Sequence, residues 1–240
     1  MQIIEKLKMK RDIYNNASIT IAFLGDSVTQ GCFECFTTGE TTLDTVYDYN
    51  SAYASRVREI LNILYPNVQI NIINSGISGD NANNGLKRME RDIFPYSPDL
   101  AVVSYGLNDA VSGGLNGATA YADTIEEIFR KLKERGIEGI YLTQNFMCTE
   151  TSPHLKEALF KDLSFSFSKM QKEGVLKNYF ELAKRKVESQ KGKICDLYTT
   201  WEKLHDCGVA VTELLANKLN HPIREFHYYA AIKIIETMFD

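Results

Sequence analysis

The sequence predicts an α/β fold in which a parallel β-sheet is covered by helices on both faces. Short β-branched runs alternate with longer amphipathic segments along the whole chain, and neither an internal repeat nor a Pro/Gly-rich linker interrupts this alternation. Parallel strands need long crossover connections, which are usually helices, so the alternation favours a parallel sheet. Single α/β domains commonly reach 240 residues, and we therefore expect one domain spanning residues 1–240.

Short apolar runs that end at turns predict the strands. They lie at residues 18–24, 68–73, 99–104, 139–143 and 193–197, which makes a five-stranded sheet. Apolar residues at helical spacing predict helices at residues 51–65, 85–94, 118–135, 172–190 and 224–239. Pro66, Pro95 and Gly136 follow three of these helical segments, as helix-ending residues do.

Composition and hydropathy exclude several classes of function. A net charge of -4 and a pI of about 5.7 give no electrostatic footprint for nucleic acid. The N-terminus mixes charged and apolar residues and lacks the uninterrupted apolar run of a signal peptide. The most apolar stretches, residues 19–24 and 100–103, are too short to span a bilayer. We expect a cytoplasmic protein that neither inserts into a membrane nor binds nucleic acid.

Five cysteines are scattered along the chain, and Cys32 and Cys35 have the CxxC spacing of zinc and redox sites. No second CxxC or HxxxH pair completes a metal cage in the sequence, and no thioredoxin-like context surrounds these two residues. We therefore expect reduced thiols and no metal site.

The first predicted strand ends at Gly25-Asp26-Ser27. Ligands of parallel α/β sheets bind beyond the carboxyl ends of the strands, so chemically active residues are expected there. At a strand-to-helix turn a serine hydroxyl is exposed, and it becomes a nucleophile when a neighbouring base takes its proton. Two simpler interpretations of Ser27 stay open here, namely a helix cap and a phosphate-binding turn.

The second and third predicted strands also end in polar, glycine-containing loops. Residues 74–81 contain two glycines, of which Gly79 lets a backbone N–H approach a substrate oxygen without steric hindrance. Gly106 precedes Asn108, whose side-chain amide can donate a hydrogen bond to an oxyanion. An ordinary turn and a helix cap are the structural alternatives.

His221 is the candidate general base, in the sequence Asn220-His221-Pro222 before the last predicted helix. His221 is flanked by turn residues, whereas His205 and His227 lie in helical segments and His154 precedes one. A histidine held by a following proline suits a base whose imidazole must meet a serine hydroxyl. Taken alone, a histidine in this position is more often a structural or surface residue.

The chain resembles the SGNH hydrolases, also called the GDSL esterase family, in four short motifs. These are Gly25-Asp26-Ser27, Ser78-Gly79-Asp80, Gly106-Leu107-Asn108-Asp109 and His221-Pro222, in that order. The resemblance implies a three-layer α/β/α, flavodoxin-like fold with a five-stranded parallel core. It implies that Ser27 is the nucleophile and His221 the base. It further implies an oxyanion hole made by the backbone N–H groups of Ser27 and Gly79 and by the Asn108 side chain.

One position departs from the family pattern. The family usually carries Asp three residues before the histidine, and this position is Lys218. Three explanations are open: a Ser–His dyad oriented by a backbone carbonyl, another acid such as Glu213 or Asp206, and a weakened or inactive relative. We favour the first two, because the nucleophile, the oxyanion donors and the base are all present.

The resemblance implies ester hydrolysis through an acyl-enzyme, without a metal or organic cofactor. Residues 33–50 are rich in Thr, Tyr, Asp and Glu, which suits a sugar and favours a carbohydrate or small-molecule O-acetylesterase. Residues 145–168 are more apolar, with Phe160, Phe165 and Phe167, and keep a lysophospholipase or acyl thioesterase open. A non-catalytic binding protein is a further alternative. A nucleotide-binding module is weakly supported, because residues 25–31 lack the phosphate-loop lysine.

Overall fold

A parallel sheet forms the centre of the molecule, as the sequence predicts. The computed structural model describes residues 1–9, 14, 16–39 and 42–240. Within these residues the strands are β1 (Ile19–Gly25), β2 (Cys32–Thr37), β3 (Leu43–Tyr47), β4 (Ile70–Gly76), β5 (Leu100–Ser104), β6 (Glu138–Leu142) and β7 (Lys193–Cys195). Five of them pair in parallel in the order β4-β1-β5-β6-β7, while β2 and β3 form a separate antiparallel hairpin.

The strand order gives the sheet a topological switch point beside β1. The chain passes from β1 outward to β4 and then returns to β5 on the other side of β1. In flavodoxin-like sheets the ligand site lies outside the carboxyl ends of the strands at this point. Those ends are level, because Gly25 of β1 is in register with Gly76 of β4 and with Ser104 of β5. The loops after these three strands therefore open onto one place.

Helices form two layers around the sheet. In the described part of the chain they are α1 (Gln2–Met9), α2 (Ser27–Gln30), α3 (Tyr53–Leu64), α4 (Ala82–Asp92), α5 (Leu107–Gly113), α6 (Ala118–Glu134), α7 (Ala158–Lys172), α8 (Val175–Ser189), α9 (Leu197–Asp206) and α10 (Arg224–Phe239). Helices α1 and α3 contact α10, whereas α4 and α8 contact α6 in the other layer. None of the helices described is both long and apolar enough to cross a membrane.

Burial of the central strands explains their sequence. Every residue of β5, in the sequence LAVVS, is buried, and β1 is nearly as deeply enclosed. A strand covered on both faces needs a continuous apolar run rather than an alternating one. Helix α6 supplies a matching apolar stripe that includes Tyr121, Ile125 and Ile128. The three-layer α/β/α fold with a five-stranded parallel core is thus confirmed.

Two stretches that the sequence left without secondary structure are ordered elements. Residues 33–50 contain most of the β2–β3 hairpin, although residues 40 and 41 lie outside the described part. Residues 145–168 run into α7, whose Phe160 and Phe167 are buried in the core. These two residues are seven apart, which is two helical turns, so they lie on one face. Burial of this face against the core stabilises α7, the helical part of the segment, which begins at Ala158.

Candidate active site

Ser27 lies directly after β1, as the first residue of the short helix α2. Asp26 caps this turn, because its Oδ1 accepts a hydrogen bond of 3.0 Å from the Val28 N–H. Gly31 ends the turn with a φ of 98°, which residues with a Cβ rarely adopt. These two ends hold the Ser27 hydroxyl at the carboxyl edge of the central strand.

The fold brings His221 to Ser27 from the far end of the chain. Its Nε2 lies 3.0 Å from Ser27 Oγ, and both side chains are buried. The His221 loop is tied together by one side chain, since Asn217 Oδ1 accepts hydrogen bonds from the backbone N–H groups of Leu219, Asn220 and His221. This threefold contact fixes the position of the imidazole.

The partner of His221 Nδ1 is a backbone carbonyl and not a carboxylate. His221 Nδ1 lies 3.0 Å from the carbonyl oxygen of Phe33, at the start of the β2–β3 hairpin. Glu213 is instead paired with Lys218 at 2.9 Å, and Asp206 is exposed at the end of α9. The expectation that Glu213 or Asp206 reaches the imidazole is therefore wrong. The first of the three explanations describes the geometry.

Burial and the Phe33 carbonyl together set the protonation of His221. Burial lowers the pKa of His221 to about 4, and the hydrogen bond to the carbonyl only partly opposes this effect. The ring is therefore neutral at pH 7. A carbonyl oxygen can only accept, so the proton of the neutral ring is on Nδ1. The Nε2 lone pair then faces the Ser27 hydroxyl, which is the tautomer that a general base requires.

Three hydrogen-bond donors surround the carboxyl edge near Ser27. The Asn108 side chain donates one hydrogen bond, of 2.8 Å, to the Asp80 carbonyl and has a second N–H left. The backbone N–H groups of Ser27 and Gly79 donate to no protein group among the described residues. Gly79 has a φ of 78°, and a Cβ there would meet nothing within 4 Å. Its backbone is therefore open to solvent and to a ligand.

A buried arginine joins the loops that carry these donors. Arg88 of α4 donates to Asp80 Oδ2 at 2.8 Å, to the Gly25 carbonyl at 3.0 Å and to the Tyr105 hydroxyl at 2.7 Å. A further bond of 2.9 Å runs to Asp92 on its own helix. Asp80 follows Gly79 directly, and Gly25 lies two residues before Ser27. Arg88 thereby holds the Gly79 loop against the end of β1.

A second buried link connects the ends of three strands. Gln144 follows β6, and its Nε2 donates to Asp26 Oδ2 at 2.9 Å while its Oε1 accepts from the Leu107 N–H at 2.8 Å. Burial raises the pKa of Asp26 to about 7, with the Gln144 hydrogen bond opposing the rise. The expectation that functional residues follow the strands could have identified Gln144 as a site residue, because it directly follows a predicted strand. Arg88 carried no such signal, because a helical arginine usually lies in solvent.

The CxxC residues have no metal partners in this part of the molecule. The five cysteines are free, and no cluster of three or more His, Cys, Asp or Glu side chains that could hold a metal ion occurs among the described residues. Cys35 instead packs against the imidazole, with its Sγ 3.9 Å from His221 Nδ1. Burial raises the pKa of Cys35, which keeps it a neutral thiol.

Comparison with known proteins shows which family the chain belongs to. A model of the GDSL-like Lipase/Acylhydrolase family matches residues 23–222, which include all four motifs. The chain belongs to this family. A curated relative, the acetylxylan esterase of Geobacillus stearothermophilus, is 30% identical over 89 residues. That alignment spans 37% of this chain and 39% of the relative.

Solved structures share the fold at lower sequence identity. A two-domain esterase (CEX) active on acetylated mannans gives a TM-score of 0.68 at 17% identity over 99% of this chain, which spans 51% of that protein. A variant of the acetyl xylan esterase Axe2 from Geobacillus stearothermophilus gives a TM-score of 0.66 at 18% identity, covering 92% of this chain and 95% of that one. At these identities the likeness concerns the fold of this GDSL-family protein.

Replacing Arg88 by methionine should destabilise the protein strongly. The variant leaves Asp80 as a buried carboxylate without its cation, and removing one partner of a buried ion pair costs about 3–5 kcal/mol. Urea unfolding measures this loss. Arg91→Met is the matched control, because Arg91 is exposed on the same helix and pairs with Asp92 at the surface. Equal unfolding midpoints for the two variants would contradict the role given to Arg88.

Proposed function

We propose that this protein is a serine ester hydrolase that removes acetyl groups from a carbohydrate, with Ser27 as nucleophile and His221 as base. The observation that carries the proposal is the hydrogen-bond chain from the Phe33 carbonyl through His221 to Ser27, with 3.0 Å at each step. This arrangement delivers an unprotonated Nε2 to a serine hydroxyl at the ligand edge of the sheet. Hydroxyl activation by an adjacent base is the requirement for serine nucleophiles.

The acylation step follows from this arrangement. His221 Nε2 takes the proton of Ser27 Oγ, which attacks the ester carbonyl and forms a tetrahedral oxyanion. The oxyanion is stabilised by the N–H groups of Ser27 and Gly79 and by the free N–H of Asn108. His221 returns the proton to the departing sugar alcohol, and the acetyl group stays on Ser27. Water, deprotonated by the same imidazole, then releases acetate and restores the serine.

The Phe33 carbonyl fulfils part of the role of a triad carboxylate. A carboxylate fixes the imidazole tautomer and also stabilises the imidazolium that forms during reaction. The carbonyl fixes the same tautomer, but its dipole stabilises the imidazolium less than a full charge does. Burial lowers the pKa of His221 to about 4, and the hydrogen bond to the Phe33 carbonyl raises it too little to compensate. We therefore expect an active enzyme with a reduced turnover, rather than an inactive relative.

Two observations favour a short acyl group on a sugar. Of the three phenylalanines of residues 145–168 that were candidates for an acyl pocket, Phe160 and Phe167 belong to the hydrophobic core, and Phe165 is a single exposed ring. Among similar proteins, one is an acetylxylan esterase and one acts on acetylated mannans. An acetyl ester needs little apolar volume beside the serine. A long acyl chain would need an apolar groove, which these phenylalanines do not supply.

Ser27→Ala should abolish hydrolysis of p-nitrophenyl acetate. Removing the nucleophile of a serine hydrolase lowers kcat by about 10³-fold or more. Initial rates at saturating ester measure this loss, and Ser189→Ala on the exposed end of α8 is the matched control that keeps full activity. Similar rates for the Ser27→Ala variant and the wild type would refute the assignment of the nucleophile.

The wild type should prefer acetyl to octanoyl esters. Because Phe160 and Phe167 are packed in the core and offer an acyl chain no contact surface, we expect each extra methylene to gain little burial and kcat/KM to fall by about tenfold or more between p-nitrophenyl acetate and p-nitrophenyl octanoate. The comparison uses both esters below their micelle-forming concentrations. A preference for the octanoyl ester would support a lysophospholipase or thioesterase instead.

A further inference from the structure

The β2–β3 hairpin presents two exposed tyrosines beside the candidate site. Tyr47 ends β3, and Tyr49 follows two residues later. Their ring centroids are 6.1 Å apart with an interplanar angle of 21°, so the rings lie nearly parallel. The two residues are 44% and 56% exposed. Aromatic rings that stay in water next to a site form a ready contact surface for a ligand.

The backbone under these rings is held in place. Asp48 lies between the two tyrosines, and its N–H donates to the Gly31 carbonyl at 2.8 Å. The Asp48 carboxylate accepts from Arg224 Nε at 3.0 Å, and the Tyr49 carbonyl accepts from the Ser55 hydroxyl at 2.8 Å. A ligand that binds to the rings therefore does not have to order the chain that carries them, which lowers the entropic cost of binding.

Tyr47 of the pair lies beside the neighbours of two residues of the candidate site. Tyr47 is in register with Cys32, the neighbour of the residue whose carbonyl holds His221. On the other side Ser78, directly before Gly79, lies near Tyr47. Partial burial raises the pKa of Tyr47, and the Ser78 side chain opposes this rise through a hydrogen bond. Tyr47 thus lies near both the start of β2, which carries the Phe33 carbonyl, and Ser78 of the Gly79 loop.

We propose that Tyr47 and Tyr49 form a stacking platform for a pyranose ring of a neutral acetylated oligosaccharide, an inference that rests on the proposed function. One face of a pyranose carries axial C–H groups and packs on an aromatic ring, while its equatorial hydroxyls point sideways. Tyrosine suits this partner, because it combines an apolar ring with a polar hydroxyl. The platform holds the sugar while its acetyl group reaches Ser27.

The charges around the pair favour a neutral sugar over an anion. Glu34 and Asp48 are both paired with Arg224, which leaves no unpaired cation among them to attract an acidic ligand. The negative charge of exposed Asp44 helps to raise the pKa of Tyr47, after partial burial, and would also repel an anion bound there. Hydroxyl groups are the ligand atoms that suit such a mixture of rings and carboxylates.

The test measures binding and turnover separately. Xylotetraose and mannotetraose without acetyl groups are titrated calorimetrically into the wild type, Tyr47→Ala, Tyr49→Ala and the double variant. We expect one of the two sugars to bind the wild type and each single variant to weaken this binding about tenfold, as the loss of one aromatic contact does. Tyr47→Trp should restore binding. Tyr96→Ala, at the opposite edge of the sheet just before β5, is the exposed control and should change nothing.

The kinetic arm compares acetylated tetrasaccharide with p-nitrophenyl acetate. The ratio of kcat/KM for the sugar ester to that for the small ester should fall about tenfold in each tyrosine variant and stay constant in Tyr96→Ala. Unchanged sugar affinity and an unchanged ratio in the double variant would overturn the platform, while the Ser27→Ala result would still decide the esterase. Loss of self-association or of phosphatidylcholine vesicle binding in the double variant, without a change in sugar binding, would overturn it equally.

Discussion

The hydrogen bond between His221 Nδ1 and the Phe33 carbonyl is the contact on which the site depends. It selects the tautomer that leaves Nε2 unprotonated, and that nitrogen meets Ser27 Oγ at 3.0 Å. A backbone carbonyl is a weaker partner for an imidazolium than a carboxylate, but it orients the ring equally well. The base therefore depends on the exact position of one peptide group in the β2–β3 hairpin.

Several contacts fix that peptide group. The Arg224 guanidinium lies 4.2 Å from the centre of the Phe33 ring and pairs with Glu34, the next residue. Arg224 is three residues after His221, so one side chain joins the hairpin to the histidine loop. Asn217 ties that loop from within through three backbone N–H groups. The geometry lost with the family's carboxylate is thus supplied by the packing of two loops.

Much of the fold could be predicted from the sequence, because each central strand is an uninterrupted apolar run with a polar turn behind it. Helix α10 begins and ends where its apolar spacing predicts, at Arg224 and Phe239. The expectation that active residues follow the carboxyl ends of the strands also selected Ser27 and Asn108. The strands before them end at Gly25 and Ser104, which are in register. Local periodicity and topology are sufficient for these features, since both are encoded over short stretches.

The remaining features depend on contacts between distant residues. The partner of His221 is a main-chain oxygen, which every residue has and no side-chain pattern marks. Arg88 resembles a surface residue of α4 until the fold encloses it with Asp80 and Tyr105. The β2–β3 hairpin was not predicted, because its strands lack a regular alternation of apolar and polar residues. Thr45 is the single buried position of β3. Sequence patterns select Ser27 and His221 as the proposed nucleophile and base, whereas the orientation of the two side chains follows from tertiary structure.

Nitrogen-15 NMR of the histidine side chains measures the tautomer of His221 and the pKa of its ring. The His221 signals are assigned by comparison with His221→Gln, and the spectra are followed from pH 3.5 to pH 8. We expect a neutral ring at pH 7 with the proton on Nδ1 and a titration midpoint near a pKa of about 4. A ring protonated on Nε2 would contradict the role of the Phe33 carbonyl, and a midpoint at the ordinary value of 6.5 would contradict the burial of the imidazole.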